Sequence, residues 1–105
     1  MGERTANVQD ADFSATVIAL AGIIAARRTA DPESSYTARL LTSQPDYLLK
    51  KLVEEACELT LAVKDADHEH IRYEAADLVY HLLVLLQREG VSLAELAGEL
   101  QARMK

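Results

Sequence analysis

The chain has 105 residues and a mass of 11.6 kDa, the size of one domain. Half of its residues are hydrophobic, so it can build a core and is not a disordered acidic tail. Lys and Arg number 11 against 17 Asp and Glu, a formal charge of −6, and aromatics make up 5%; neither the basic footprint of a duplex binder nor the stacking platform of a single-strand binder is present.

Cys57 is the one cysteine, so no intrachain disulfide and no cysteine-based zinc cluster can form. No apolar run reaches the roughly 18–20 residues that span a bilayer. Met1 to Asp12 has no apolar stretch behind a basic head. Ala6 breaks the myristoylation pattern that Gly2 would open. A soluble, cytoplasmic protein is expected, with no nucleic-acid or membrane partner. So small a domain is marginal alone, and subunit association would relieve that.

Residues 1–11 are polar and lack periodicity, which predicts a flexible arm ahead of a single all-α domain over residues 12–105. A first helix is expected from about Asp12 to about Arg28, with Phe13, Val17, Leu20, Ala21 and Ile24 at helical spacing. Pro32 stops it. Ser34 and Ser35 can cap a short helix through Tyr36 to Leu41. The next helix is long, with Asp46 as its expected N-cap and Lys64 near its end; its apolar face reads Leu49, Leu52, Val53, Ala56, Leu59 and Val63. After a turn at residues 65–67, another long helix runs from about His68 to Arg88 and stops at Gly90. Ser92 and Glu95 fit a capping box that opens a last helix to about Arg103. No strand signal appears. The predicted architecture is an antiparallel helical bundle of four main helices with short connections.

The first long helix carries Glu54, Glu55 and Glu58 on one stripe, with Lys51 one turn earlier. Alone, that is the pattern of a solvated face with i,i+3 and i,i+4 charge pairs. The second long helix alters the balance. From Leu78 to Leu86 it is apolar almost all round, as in helices buried by their own domain or by a partner subunit. Glu74 and Asp77 precede this run near the buried seam, where carboxylates are costly unless neutralised. Glu58 and Glu74 each lie about eight residues from the turn, so an antiparallel hairpin brings the pairs Glu55–Glu58 and Glu74–Asp77 level. Like charges this close repel strongly in low dielectric. A hard divalent cation is the natural remedy, and oxygen-only ligands favour Mg²⁺, Mn²⁺ or Ca²⁺ over zinc. Spacing leaves two readings level: a Mg²⁺-dependent phosphate enzyme, and a structural acidic patch with Arg or Lys partners.

Three stretches narrow the choice. Asp31 to Leu41 (DPESSYTARLL) resembles the S-Y-T-x-K/R-L segment of the phosphoribosyl-ATP pyrophosphohydrolase family, one of the all-α, MazG-like nucleoside triphosphate pyrophosphohydrolases. Lys50 to Glu58 (KKLVEEACE) is similar to its K-K-x-x-E-E-x-x-E motif, and Tyr73 to Leu83 (YEAADLVYHLL) to its E-A-A-D-L-x-Y-H-L string. Gly90 to Leu93 also fits. The resemblance covers roughly residues 12–103. The E-x-x-E and E-x-x-D pairs mark the superfamily; the S-Y-T and E-A-A-D-L-x-Y-H strings mark the family more narrowly. Val53 departs from the pattern, standing where members often carry Gly.

The resemblance implies hydrolysis of phosphoribosyl-ATP to phosphoribosyl-AMP and pyrophosphate, the second step of histidine biosynthesis. It implies Mg²⁺, or Mn²⁺, held by Glu55, Glu58, Glu74 and Asp77, with Glu54 beside them to orient or deprotonate the attacking water or to support the ligands. Lys51 meets a phosphate or pairs with Glu54 or Glu55. Ser35, Tyr36, Thr37 and Arg39 contact the ligand, with helix capping as the other role of Ser35. His81 either bonds a ligand carboxylate or is a satisfied core histidine. Cys57 is expected to face away from the acidic stripe and pack, and His68 and His70 to lie in solvent. The apolar helix and the resemblance both imply a homodimer or larger assembly. No cyclohydrolase segment precedes the motifs, so the stand-alone form is expected. Two further readings stay open: a house-cleaning MazG-like pyrophosphohydrolase, and a non-enzymatic dimeric helical module whose acidic patch binds a partner.

Overall fold

The computed structural model describes residues 5–104, and these contain five α-helices and no strand. Helix α1 spans Phe13–Ala26, α2 Tyr36–Thr42, α3 Pro45–Lys64, α4 His68–Glu89 and α5 Leu93–Arg103. A single 3-10 turn, Arg27–Thr29, follows α1. The four main helices expected are present, with the short α2 between the first two.

The caps explain most boundaries. The Asp12 carboxylate accepts from the Ala15 N–H at 2.8 Å, Ser35 Oγ from Ala38 at 3.1 Å, and Asp67 from His70 at 3.2 Å. Ser92 and Glu95 form both halves of the capping box. Gly90 takes a left-handed φ of 74°, and the Val91 N–H returns to the Leu86 carbonyl at 2.9 Å, which closes α4. One boundary corrects the sequence reading. Gln44, not Asp46, is the N-cap of α3, and Pro45 is its first residue. Proline's fixed φ and missing N–H suit that position, while Asp46 sits in the first turn, where its charge favours the helix dipole.

Helices α3 and α4 form the antiparallel hairpin on which the rest is mounted. Ile24, Leu40, Leu48, Leu83 and Val84 make the buried core, with Val17, Leu20, Tyr36, Val79 and Tyr80 packed around it. A second correction concerns α3. Its buried residues are Leu48, Glu55 and Ala62, spaced by seven, whereas Leu49, Val53 and Val63 of the expected apolar face are exposed. Glu55 of the acidic stripe has turned inward with Glu58 half-buried beside it, while Leu52, Ala56 and Leu59 of the apolar face stay half-buried. Phe13 likewise leaves the core and is 72% exposed.

Arg88 ties α2 to α4 by donating to the carbonyls of Leu40, at 2.7 Å, and Ser43. Both carbonyls belong to the C-terminal end of α2, where four acceptors lack helical partners. Replacement Arg88→Ala is expected to lower unfolding stability by about 2 kcal/mol, the scale of losing hydrogen bonds to a charged donor, as read by denaturant unfolding.

Candidate functional site

The inward turn of α3 brings Glu55 and Glu58 against Glu74 of α4. One carboxylate oxygen from each of the three lies within 4.8 Å of the others. Glu55 is 3% and Glu74 2% exposed, while Glu58 is half-buried. Glu55 Oε2, Glu58 Oε2 and Glu74 Oε1 are buried with no hydrogen-bond donor. Such oxygens cost free energy unless something positive meets them.

Burial pushes the Glu55 carboxyl from 4.5 up to about 7, with Asp77 and Glu58 adding to the rise and Lys51 opposing it. Glu74 is also raised, first by burial; its bond to His70 opposes the rise, and Glu58 and Asp77 add to it. Asp77 thus acts on the cluster as a charged neighbour. It stands outside the three oxygens that share the 4.8 Å group. Lys51 Nζ lies 3.6 Å from Glu54 and 3.8 Å from Glu55, which are the intrahelical pairs weighed for it above. Glu54, its side chain 44% exposed, stands on the solvent side of the cluster. Lys51, Glu54, Glu55, Cys57 and Glu58 line a depression of about 350 Å³ over α3. Cys57 is exposed there, so the expectation that it packs away from the stripe is not met.

The S-Y-T residues turn toward α4. The His81 ring sits between two partners: Nδ1 donates to the Asp77 carbonyl at 2.8 Å, and Nε2 lies 3.0 Å from the Tyr36 hydroxyl. A carbonyl only accepts, so the neutral ring carries its proton on Nδ1 and Tyr36 donates to Nε2. Burial, with Tyr47, Tyr80, Glu55 and Asp77 adding, pushes Tyr36 up to about 12, which keeps that donor protonated. Thr37 Oγ1 bonds the Tyr80 hydroxyl. Burial raises Tyr80, and that Thr37 bond opposes the rise. Ser35 caps α2. Arg39 donates to the Pro32 carbonyl at 2.8 Å and lies 5.6 Å from the Tyr36 ring centroid. Of the two roles weighed for His81, the structure places it in the second: a buried ring with both nitrogens bonded, neither to a carboxylate.

A family model described as "Phosphoribosyl-ATP pyrophosphohydrolase" matches residues 17–104. The chain belongs to the phosphoribosyl-ATP pyrophosphohydrolase family. It is similar to the phosphoribosyl-ATP pyrophosphatase of Dechloromonas aromatica, 45% identical over 84 residues, which cover 80% of this chain and 78% of that protein. The phosphoribosyl-ATP pyrophosphatase of Metallosphaera sedula is 49% identical over 86 residues, covering 82% of this chain and 92% of its own. The histidine biosynthesis bifunctional protein HisIE of Bacillus subtilis is 42% identical over 95 residues, 90% of this chain and 46% of that longer protein.

The family match spans every motif of the site, from the S-Y-T segment through the capping box. One site residue escaped the sequence reading. His70, expected in solvent beside the turn, is half-buried, and its Nε2 lies 2.9 Å from Glu74 Oε2. The i,i+4 spacing of His70 and Glu74 was the available signal.

The raised carboxyls give a signed pH dependence. Their folded pKa values lie above the ordinary range, so their contribution to stability is full below about pH 4.5 and is lost at higher pH, for Glu55 as the pH rises through about 7. Chelator-treated protein is therefore expected to unfold at a lower temperature at pH 8 than at pH 5. Millimolar Mg²⁺ is expected to raise the midpoint at pH 8 and have little effect at pH 5, where protons occupy the same oxygens. Calorimetry at the two pH values checks both.

Proposed function

We propose that this chain hydrolyses phosphoribosyl-ATP to phosphoribosyl-AMP and pyrophosphate, with a divalent cation, Mg²⁺ or Mn²⁺, held by Glu55, Glu58 and Glu74 and assisted by Asp77. Family membership supports the reaction and its place in histidine biosynthesis. The observation that supports the cation is the clustering of Glu55, Glu58 and Glu74, each with a carboxylate oxygen within 4.8 Å of the others and each with a buried oxygen that has no hydrogen-bond partner. An all-oxygen set suits a hard cation. When bound, such an ion neutralises phosphate oxygens and lowers the pKa of a water.

The protein's own part is positioning and charge, since phosphoryl chemistry asks little covalent work of it. In this reading Glu54, on the solvent side of the cluster, accepts a proton from the attacking water. Lys51, balanced between Glu54 and Glu55, can turn to a phosphate oxygen as substrate enters. His70 donates to Glu74 and holds its second oxygen, so that the first stays free for the cation. Tyr36, Thr37, Tyr80 and His81 lock α2 onto α4 behind Asp77.

The proposed assembly is a homodimer. Phe13, Ile18 and Ile23 on α1, and Leu49, Val53, Leu61 and Val63 on α3, are exposed. Apolar surface of that extent is characteristic of a subunit interface. The proposed compartment is the cytoplasm. No helix among the described residues is long and apolar enough to cross a membrane, and the free thiol of Cys57 suits a reducing environment.

Pyrophosphate release is measured from phosphoribosyl-ATP and from common nucleoside triphosphates, with and without Mg²⁺. Cation-dependent release from phosphoribosyl-ATP alone is expected. Release from the common triphosphates instead keeps the chemistry and changes the substrate. Glu58→Gln and Glu74→Gln are each expected to lower turnover more than about 100-fold, beyond the loss of an outer partner, with the helical circular dichroism unchanged. Light scattering at micromolar concentration is expected to give twice the chain mass, and a monomer there contradicts the dimer.

A further inference from the structure

A second cavity, of about 330 Å³, lies against α4 and shares no lining residue with the depression over α3. Its inner wall is one face of the helix: Glu69, Arg72, Tyr73, Ala76, Asp77 and Tyr80, at i, i+3, i+4, i+7, i+8 and i+11. These positions run along about 16 Å of helix. The outer wall is Thr5 and Val8 of the N-terminal segment. Asp77 is the lining residue whose charge also acts on Glu55 and Glu74, and Arg72 stands more than one turn away from it.

The lining selects a ligand class. Val8, Tyr73, Ala76 and Tyr80 offer apolar and aromatic surface, which suits a flat base. Glu69 and Asp77 can accept hydrogen bonds from sugar hydroxyls but would repel a bare polyphosphate. Arg72 is exposed and makes no ion pair with a described residue. A guanidinium in that state is suited to binding a phosphate group. The cavity volume is within the range of small-molecule sites.

We propose that this cavity takes the nucleoside end of the substrate, with the base against Tyr73 and Tyr80, and with Arg72 holding the ribose phosphate that distinguishes phosphoribosyl-ATP from ATP. The inference rests on the function proposed above. It places the two products on separate surfaces: pyrophosphate departs over α3 beside Lys51, and the nucleoside end remains on α4 under the N-terminal segment. Arg72 is then a specificity-determining residue, and Val8 forms part of the site.

Calorimetric titration with phosphoribosyl-AMP tests this, since that product keeps both ribose phosphates and lacks the pyrophosphate. AMP, without the second ribose phosphate, is the comparison ligand. Wild-type protein is expected to bind phosphoribosyl-AMP more tightly than AMP. Arg72→Gln is expected to weaken phosphoribosyl-AMP about tenfold, as for one charge-assisted hydrogen bond, and to leave AMP unchanged. Arg72→Lys is expected to recover part of the loss. Val8→Asp is expected to weaken both ligands. Failure of wild type to bind phosphoribosyl-AMP, or equal affinity in wild type and Arg72→Gln, overturns the proposal. Equal losses for the two ligands move Arg72 to the shared phosphate and overturn its role in specificity. Tight, Arg72-dependent product binding without turnover of phosphoribosyl-ATP overturns the function above and leaves this site standing.

Discussion

Three carboxylates share the seam between α3 and α4 with no donor for their inward oxygens. Helix seams are normally apolar, and Leu48 and Ala62 occupy the equivalent positions one heptad either side of Glu55. Placing a carboxylate between them raises the free energy of the metal-free fold, because desolvation and mutual repulsion act together. The core around Ile24, Leu40, Leu48, Leu83 and Val84 holds the hairpin closed against that repulsion. The cluster thus holds buried oxygens and mutual repulsion, which the cation proposed above would relieve.

The polar network behind the cluster serves the same end. Tyr36 bonds His81, His81 bonds the Asp77 carbonyl, and Thr37 bonds Tyr80. Each contact joins α2 to α4 or straps one turn of α4. Two distant stretches of sequence are therefore one structural unit, and their polar side chains satisfy each other. Arg88 anchors the far end of α2 to the same helix. The result is a rigid backing for Asp77 and Glu74, which leaves the faces over α3 and α4 open to ligand.

The inward position of Glu55 on α3 goes with the exposure of Leu49, Val53 and Val63 on the same helix. In a 105-residue chain the seam position given to Glu55 is one that an apolar side chain does not fill. The exposed residues, Val53 at 69% exposure among them, form a surface that a second subunit can bury. Val53 is also the position that departs from the family pattern, and its side chain lies in solvent.

Much was legible in the residues. Helix number, caps and turns follow from local chemistry: Asp12, Ser35, Gly90 and the Ser92–Glu95 box act within one turn of chain, so their signals are local. The level pairing of Glu58 with Glu74 followed from counting residues on either side of a tight turn. The motif strings pointed to the family. Rotation of α3 about its axis was not legible, because its apolar and acidic stripes are each plausible inward faces and only packing against α4 decides between them. His70 was read as solvent for the same reason, since its partner is buried only once the hairpin closes. Nor was the pairing of Tyr36 with His81, 45 residues apart, recoverable from either motif alone. Short-range geometry and charge spacing were written in the chain; which face is buried, and which polar groups satisfy each other across the fold, depended on long-range desolvation that only the tertiary structure sets.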